Sequence, residues 1–473
     1  MSNLWKTKSI EQLVLESRGD GKNKELKKVL TTWSLIALGV GGIIGAGLFS
    51  LTGIAAAEHA GPAVILSFIV AAVACLFSAL CYAEFASMIP VAGSAYTYSY
   101  ATFGEFMAWI IGWDLVLEYS LGAATVGVSW SQYFVKLLHQ FGIDLPDALV
   151  RSPFEPGGII NLPAVFIICA TSLLLIRGTR GSSRFNNILV VLKVAVVFIF
   201  IILGWSFINP ENHVPFIPEN QGEFGHFGLS GVAMGAAVVF FAFIGFDAVS
   251  TAAQETVNPR KSMPRGIIGA LLACTILYVL FAYVMTGMVP HEEFLGDASP
   301  VAKAFSVTGY TSIEILLILA IVCGFTSVII VMLLGQSRVF YSMSKDGLLP
   351  SFFSDVHPTF KTPWKTNLFF MAFIAILTGL VPISDLGHMV SMGTLLAFTL
   401  VSIGIIILRV QRPDIPRKFK TPLVPFVPVL GALISLALMY SLPTISWYRL
   451  IIWMVIGLVI YFAYSRGHSR LNR

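Results

Sequence analysis

The stretch Gly39-Val40-Gly41-Gly42-Ile43-Ile44-Gly45-Ala46-Gly47 lies inside the first long apolar run of a 473-residue chain. Five glycines in nine residues disfavour an unbroken helix, since each costs about 1 kcal/mol against alanine. Bare amides and carbonyls survive within a bilayer only where they line a cavity or are buried in protein. One reading is therefore a broken helix whose exposed backbone holds a small polar ligand. The other is close helix packing through small residues. The rest of the chain decides between them.

Hydrophobic residues form 56% of the chain and charged residues 12%, and the mean hydropathy is +0.82. That composition excludes an ordinary soluble domain and predicts one all-α, polytopic membrane domain. The net charge of +5 does not argue for nucleic acid, because the basic residues cluster at the ends of apolar runs. Cys75, Cys81, Cys169, Cys274 and Cys323 all fall in apolar runs without a CxxC pair, so they read as small core residues. The N-terminus lacks the apolar core of a cleaved signal peptide, so the first span is expected to remain in the mature protein.

A membrane helix needs about 20 apolar residues. Twelve runs qualify: 33–57, 62–88, 106–134, 161–176, 185–208, 228–254, 265–289, 311–341, 366–381, 386–408, 426–441 and 446–465. Of the 30 lysines and arginines, Lys136, Arg151, Lys303 and Arg449 fall on one side of this topology and Lys193 within it. All the others fall on the opposite side, which predicts cytoplasmic termini. The chain then divides into an N-terminal tail (1–32), a ten-span core (33–408), two appended spans (409–465) and a C-terminal tail (466–473).

Span 6 carries a similar interruption in Phe240-Phe241-Ala242-Phe243-Ile244-Gly245-Phe246-Asp247. Interrupted helices at the first position of two successive five-span units predict an inverted repeat, 33–208 against 228–408. This favours the ligand reading of the opening stretch. Amides of Gly45, Ala46 and Gly47, at the start of a half-helix, suit a carboxylate. Carbonyls freed at Ile43, Phe241, Ala242 and Ile244 suit an ammonium, and the ring of Phe241 can close over the ligand. Together they describe an α-amino acid.

Lys193 lies about nine residues into span 5, roughly 13 Å from its start. A lysine near the bilayer centre costs on the order of 3 kcal/mol, so its default reading is functional. Held away from water, its amine exchanges a proton more readily, which suits proton coupling. The alternatives are snorkelling to the interface or a permanent salt bridge. Asp114 and Glu118 share one face of span 3, and Asp247 follows the second break. Glu118 and Asp247 are candidates to line the site, to pair with Lys193, or only to hydrogen-bond between helices; Asp114 is a weaker candidate. Glu84 reads as a structural latch to a basic linker residue, and Glu58 and His59 as wetted groups at the outer end of span 1. Metalloprotease, serine-hydrolase and Walker signatures are lacking, which disfavours an enzyme or an ATP-driven pump.

At these residues the chain resembles the amino acid–polyamine–organocation superfamily, in its cationic amino acid transporter branch. The resemblance is carried by residues 41–49, Tyr82-Ala83-Glu84-Phe85, the stretch 90–98 and Gly112-Trp113-Asp114-Leu115-Val116-Leu117-Glu118-Tyr119. It continues through Phe243-Ile244-Gly245-Phe246-Asp247, Asn258-Pro259-Arg260, Met263-Pro264 and the stretch 338–350. It covers about residues 25 to 430, and the short tails suit a bacterial member. The resemblance implies a LeuT-like fold, five plus five inverted helices with two appended, and alternating access. It also implies that Lys193 stands where sodium-driven relatives bind a sodium ion. Ala46 departs from relatives carrying serine or threonine there, which removes a hydroxyl and leaves the backbone amides.

The expectation is a secondary transporter that imports neutral or cationic L-amino acids across the plasma membrane. The proton is the coupling ion and no other cofactor or metal is implied. Its partners are the substrate and the lipid bilayer, with a small membrane accessory subunit left open. An amino acid exchanger without net proton movement is the rival within transport, and counterflow without gradient-driven accumulation would favour it. A membrane sensor would signal even when transport is blocked, and an enzyme would release a chemically altered product.

Overall fold

The computed structural model describes residues 5–9, 30–89, 94–177, 182–251, 256–297, 299–360 and 362–471. The basic tail at 10–29, the linker residues around Arg180 and the stretch 90–93 lie outside them. The chain is all-helical; an isolated bridge between Leu30 and Thr256 is the only extended pairing among the described residues. Six helical stretches are long and apolar enough to cross a membrane, and five shorter apolar helices accompany them. This is an integral, polytopic membrane protein.

Helix α1 (Thr32–Ile43) is capped by the Thr31 hydroxyl, which accepts the Ser34 amide. The chain turns helical again over residues 47–60, here α2. Helix α3 (Val64–Met88) follows after Gly61, whose φ of +58° only glycine adopts freely. Residues 47–88 cannot form one rod, because 42 residues would extend about 63 Å, twice a bilayer core. The turn at Gly61 makes them two legs.

A short helix, α4 (Ser94–Thr102), leads into α5 (Glu105–Gln140), which at 36 residues runs well past the expected span 106–134. Then come α6 (Leu162–Arg177), α7 (Ser182–Gly204) and α8 (Gly228–Val239). One turn, Phe240–Phe243, and a break separate α8 from α9 (Ala248–Thr251). Helix α10 (Pro259–Met288) begins six residues before the expected start at 265. Pro259 suits the first helical turn, whose amides lack partners anyway, and Pro264 forgoes one bond without ending the helix.

After α11 (Pro300–Ser306), the chain continues as α12 (Thr311–Lys345), α13 (Trp364–Leu380), α14 (Ile383–Gln411), α15 (Phe426–Ser441) and α16 (Thr444–Ile460).

Helix α12 packs along α5 and α7, and α10 packs along both α1 and α3. The interrupted residues therefore sit inside the bundle. Residues 39–51 and 234–247 are buried throughout. Glu84, at the far end of α3, is fully buried and gripped by Arg409 through two bonds of 3.0 and 2.6 Å. Arg417 pairs with it at 3.2 Å and the Thr421 amide donates at 2.7 Å. The latch expected at Glu84 is thus a double-arginine clamp tying α3 to the linker after α14.

Candidate functional site

At the first interruption α1 ends at Ile43, and Ile44 is extended (φ −68°, ψ 109°). The amides of Leu48 and Phe49 both return to the Gly45 carbonyl at 3.1 Å, starting α2. The amides of Gly45 and Ala46 donate no hydrogen bond among the described residues. Such amides at a helix start are what an anion needs.

At the second interruption Ile244 is extended (φ −61°, ψ 137°) and Gly245 has φ +115°, a conformation closed to residues with a Cβ.

The two interruptions touch, backbone to backbone. A Cβ on Gly47 would lie 2.2 Å from the Ala242 Cα, and one on Gly245 would lie 2.9 Å from the Gly42 carbonyl oxygen. The glycines here serve close approach as well as helix breaking. Between the breaks lies a small cavity lined by Gly42, Ile43, Gly45, Ala46, Gly47, Phe241 and Ile244, and walled by Val126, Val328 and Met332. Its interior admits roughly one water molecule. A ligand larger than water therefore enters only if a wall moves.

Of the residues singled out in the sequence, Ile43, Gly45, Ala46, Gly47, Phe241 and Ile244 come together at this cavity. Ala242 packs against Gly47, one layer behind it. Glu118 and Asp247 do not line it. They belong to a separate buried group in which Tyr119 donates to Asp247 at 2.9 Å and Glu118 is buried. Asp114 is fully buried beside Gly393.

Lys193 is fully buried on α7, between α1 and α12. Its amine donates to the Gly41 carbonyl, to the Ile44 carbonyl at 3.1 Å and to the Ser327 hydroxyl at 3.1 Å. All three partners are uncharged oxygens. Full burial removes the snorkelling alternative, and no salt bridge to Lys193 is found among the described residues. An amine at this point holds the carbonyls that the first break leaves bare. Ser327 escaped the sequence reading, since nothing distinguishes it from other helix serines until α12 is docked. Tyr278 escaped it too: its hydroxyl reaches the Ile43 carbonyl at 3.0 Å and the Ala242 carbonyl at 2.8 Å.

Two interrupted helices that meet around a small cavity, inside a bundle of apolar helices, define a helical, polytopic membrane protein. The chain belongs to the amino acid permease family, whose model matches residues 30–461. It is 48% identical to the branched-chain amino acid permease BcaP of Bacillus subtilis, over 100% of this chain and 99% of that protein. The methylthioribose transporter of the same organism is 44% identical over the whole of both chains. A vacuolar cationic amino acid transporter 4 of Arabidopsis thaliana is 37% identical, over 88% of this chain and 68% of that one.

Proposed function

We propose that the protein is a proton-coupled importer of L-amino acids in the plasma membrane, with a LeuT-like arrangement of five plus five inverted helices. Twelve spans, both termini in the cytoplasm and alternating access complete that reading. The substrate carboxylate meets the amides of Gly45, Ala46 and Gly47. Its ammonium meets the carbonyls of Ile43, Phe241 and Ile244, with Ala242 buttressing the second break. One observation supports the reading: Gly45 and Ala46, whose amides donate no hydrogen bond among the described residues, line one small cavity together with Ile43, Phe241 and Ile244.

The side-chain end of the cavity is apolar, with Val126, Val328 and Met332 on its wall. A neutral aliphatic side chain suits that wall better than a cation, which would lie there without a partner. This agrees with the branched-chain permease among the relatives, so we assign branched-chain amino acids as the substrates. Glu118 and Asp247, one layer away, form a neighbouring acidic group for protons or for a cationic side chain.

Lys193 carries the proton coupling in this reading. Charged, it satisfies three oxygens around the first break; neutral, it retains fewer donors and loosens that break. Binding and access are thereby linked to its proton.

Uptake of labelled leucine, arginine and methylthioribose into proteoliposomes, with and without an inward proton gradient, tests the proposal for wild type and Lys193→Ala. Gradient-driven accumulation of leucine, lost in the variant while exchange survives, is the expected result. Equal wild-type uptake with and without the gradient would leave an exchanger. Uptake of methylthioribose alone would remove the amino acid reading.

A further inference from the structure

The Tyr278 hydroxyl has one proton and two acceptors, the Ile43 carbonyl at 3.0 Å and the Ala242 carbonyl at 2.8 Å. The acceptors belong to different interruptions, and the tyrosine itself is fully buried on α10. Its ring is wedged between Phe68 and Phe243, with centroids 5.4 and 5.2 Å away, so the hydroxyl is held in place. Ile43 lines the cavity; Ala242 does not. Two buried carbonyls thus share one proton, and the one on the cavity side is where the substrate ammonium is placed above.

We propose that Tyr278 holds the place of the substrate ammonium at the Ile43 carbonyl in the empty transporter, and passes its proton wholly to Ala242 when substrate arrives. The inference rests on the proposed amino acid site and adds a role for a side chain outside it.

A buried acceptor without a donor is costly, whereas one that changes donors is not. When the carrier returns empty, the ammonium is gone and only Tyr278 can cover Ile43 from behind the cavity. Without the hydroxyl, the empty carrier would carry two bare carbonyls through its return step. Substrate would then bind more tightly, because its ammonium relieves that deficit, and net uptake would slow. Exchange never uses the empty return and would be spared. Tyr278 is in this sense a positioning residue for the transport cycle.

Tyr278→Phe keeps the ring and removes only the hydroxyl. In proteoliposomes containing the full chain, we expect the apparent KM for leucine exchange to fall about fivefold, the size of one neutral hydrogen bond. The rate of net uptake relative to exchange should fall by a similar factor. A general structural defect would lower both rates together and would not tighten KM. As a second variant with the native shape, 3-fluorotyrosine at position 278 makes a stronger donor and is expected to raise KM.

An unchanged or raised KM in Tyr278→Phe with an unchanged uptake-to-exchange ratio overturns the inference, as does a lowered KM with 3-fluorotyrosine. The underlying site is checked in the same experiment by competing leucine with its 2-hydroxy analogue. A wild type that takes the two equally well would sink the ammonium site itself, while discrimination with an indifferent Tyr278→Phe sinks only the role given to the tyrosine.

Discussion

Gly47→Ala tests whether the contact between the two interruptions is what makes the site. In the structure the new Cβ would meet the Ala242 Cα at 2.2 Å, its Cβ at 2.5 Å and its amide nitrogen at 2.6 Å. Two of those atoms are backbone, so no rotamer change relieves the clash. Moving from 2.2 Å to the 3.4 Å of ordinary contact requires one interruption to retreat by about 1.2 Å. Overpacking of this kind costs roughly 1–3 kcal/mol, which is about fivefold to a hundredfold in an equilibrium constant. The retreat separates the amides of 45–47 from the carbonyls of 241–244, so the cost falls on substrate affinity. Gly42→Ala is the matched control. Its Cβ would lie 3.6 Å from the Gly245 carbonyl oxygen, an ordinary contact, and alanine also favours the end of α1. Leucine binding to purified protein, followed by scintillation proximity and by exchange in proteoliposomes, should fall by about fivefold to a hundredfold for Gly47→Ala. Gly42→Ala should stay within a few-fold of wild type. Equal activity for Gly47→Ala and wild type, or loss confined to Gly42→Ala, would refute the reasoning.

Three further outcomes follow. Lys193→Ala leaves the Gly41 and Ile44 carbonyls and the Ser327 hydroxyl without their shared donor, so thermal unfolding of the purified protein should come at lower temperature, as well as losing gradient-driven accumulation. Glu84→Gln removes the charge from a buried site facing Arg409 and Arg417; a broken buried pair costs about 3–5 kcal/mol, and poor yield with a lowered unfolding midpoint is expected. His213, outside the spans, has its pKa lowered by partial burial, so the folded protein binds its proton less readily than the unfolded chain. Its contribution to stability is present above the ordinary value of 6.5 and is lost as pH falls from there toward the lowered value; His213→Gln should flatten that slope in a thermal scan.

The two interruptions were legible because glycine marks them: Gly41, Gly42, Gly45 and Gly47 in one, Gly245 in the other. Composition and apolar runs were enough to foresee a polytopic helical protein, since spanning segments must satisfy their own backbone. Lys193 announced itself as a charge in an apolar run. Its partners did not, because two are carbonyls, invisible in side-chain chemistry, and the third is one serine among many on α12. Tyr278 and Ser327 acquire meaning only when α10 and α12 are docked against the breaks. The surroundings of the acidic groups were hidden for a related reason. Spacing placed Asp114 and Glu118 on one face of α5, but the rotation of that helix aims them at α14 and at the far side of the second break. Helix boundaries drifted where polar residues extend a helix beyond its apolar run, as in α5 and the first turns of α10.

The most direct test of the central claim is the position of the substrate. A cryo-electron microscopy map of the full-length protein with leucine should show ligand density between the Ala46 and Gly47 amides and the Ile43 and Ile244 carbonyls, with the side chain toward Val126, Val328 and Met332. Density instead beside Glu118 and Asp247, with the space between the interruptions closed, would contradict the account.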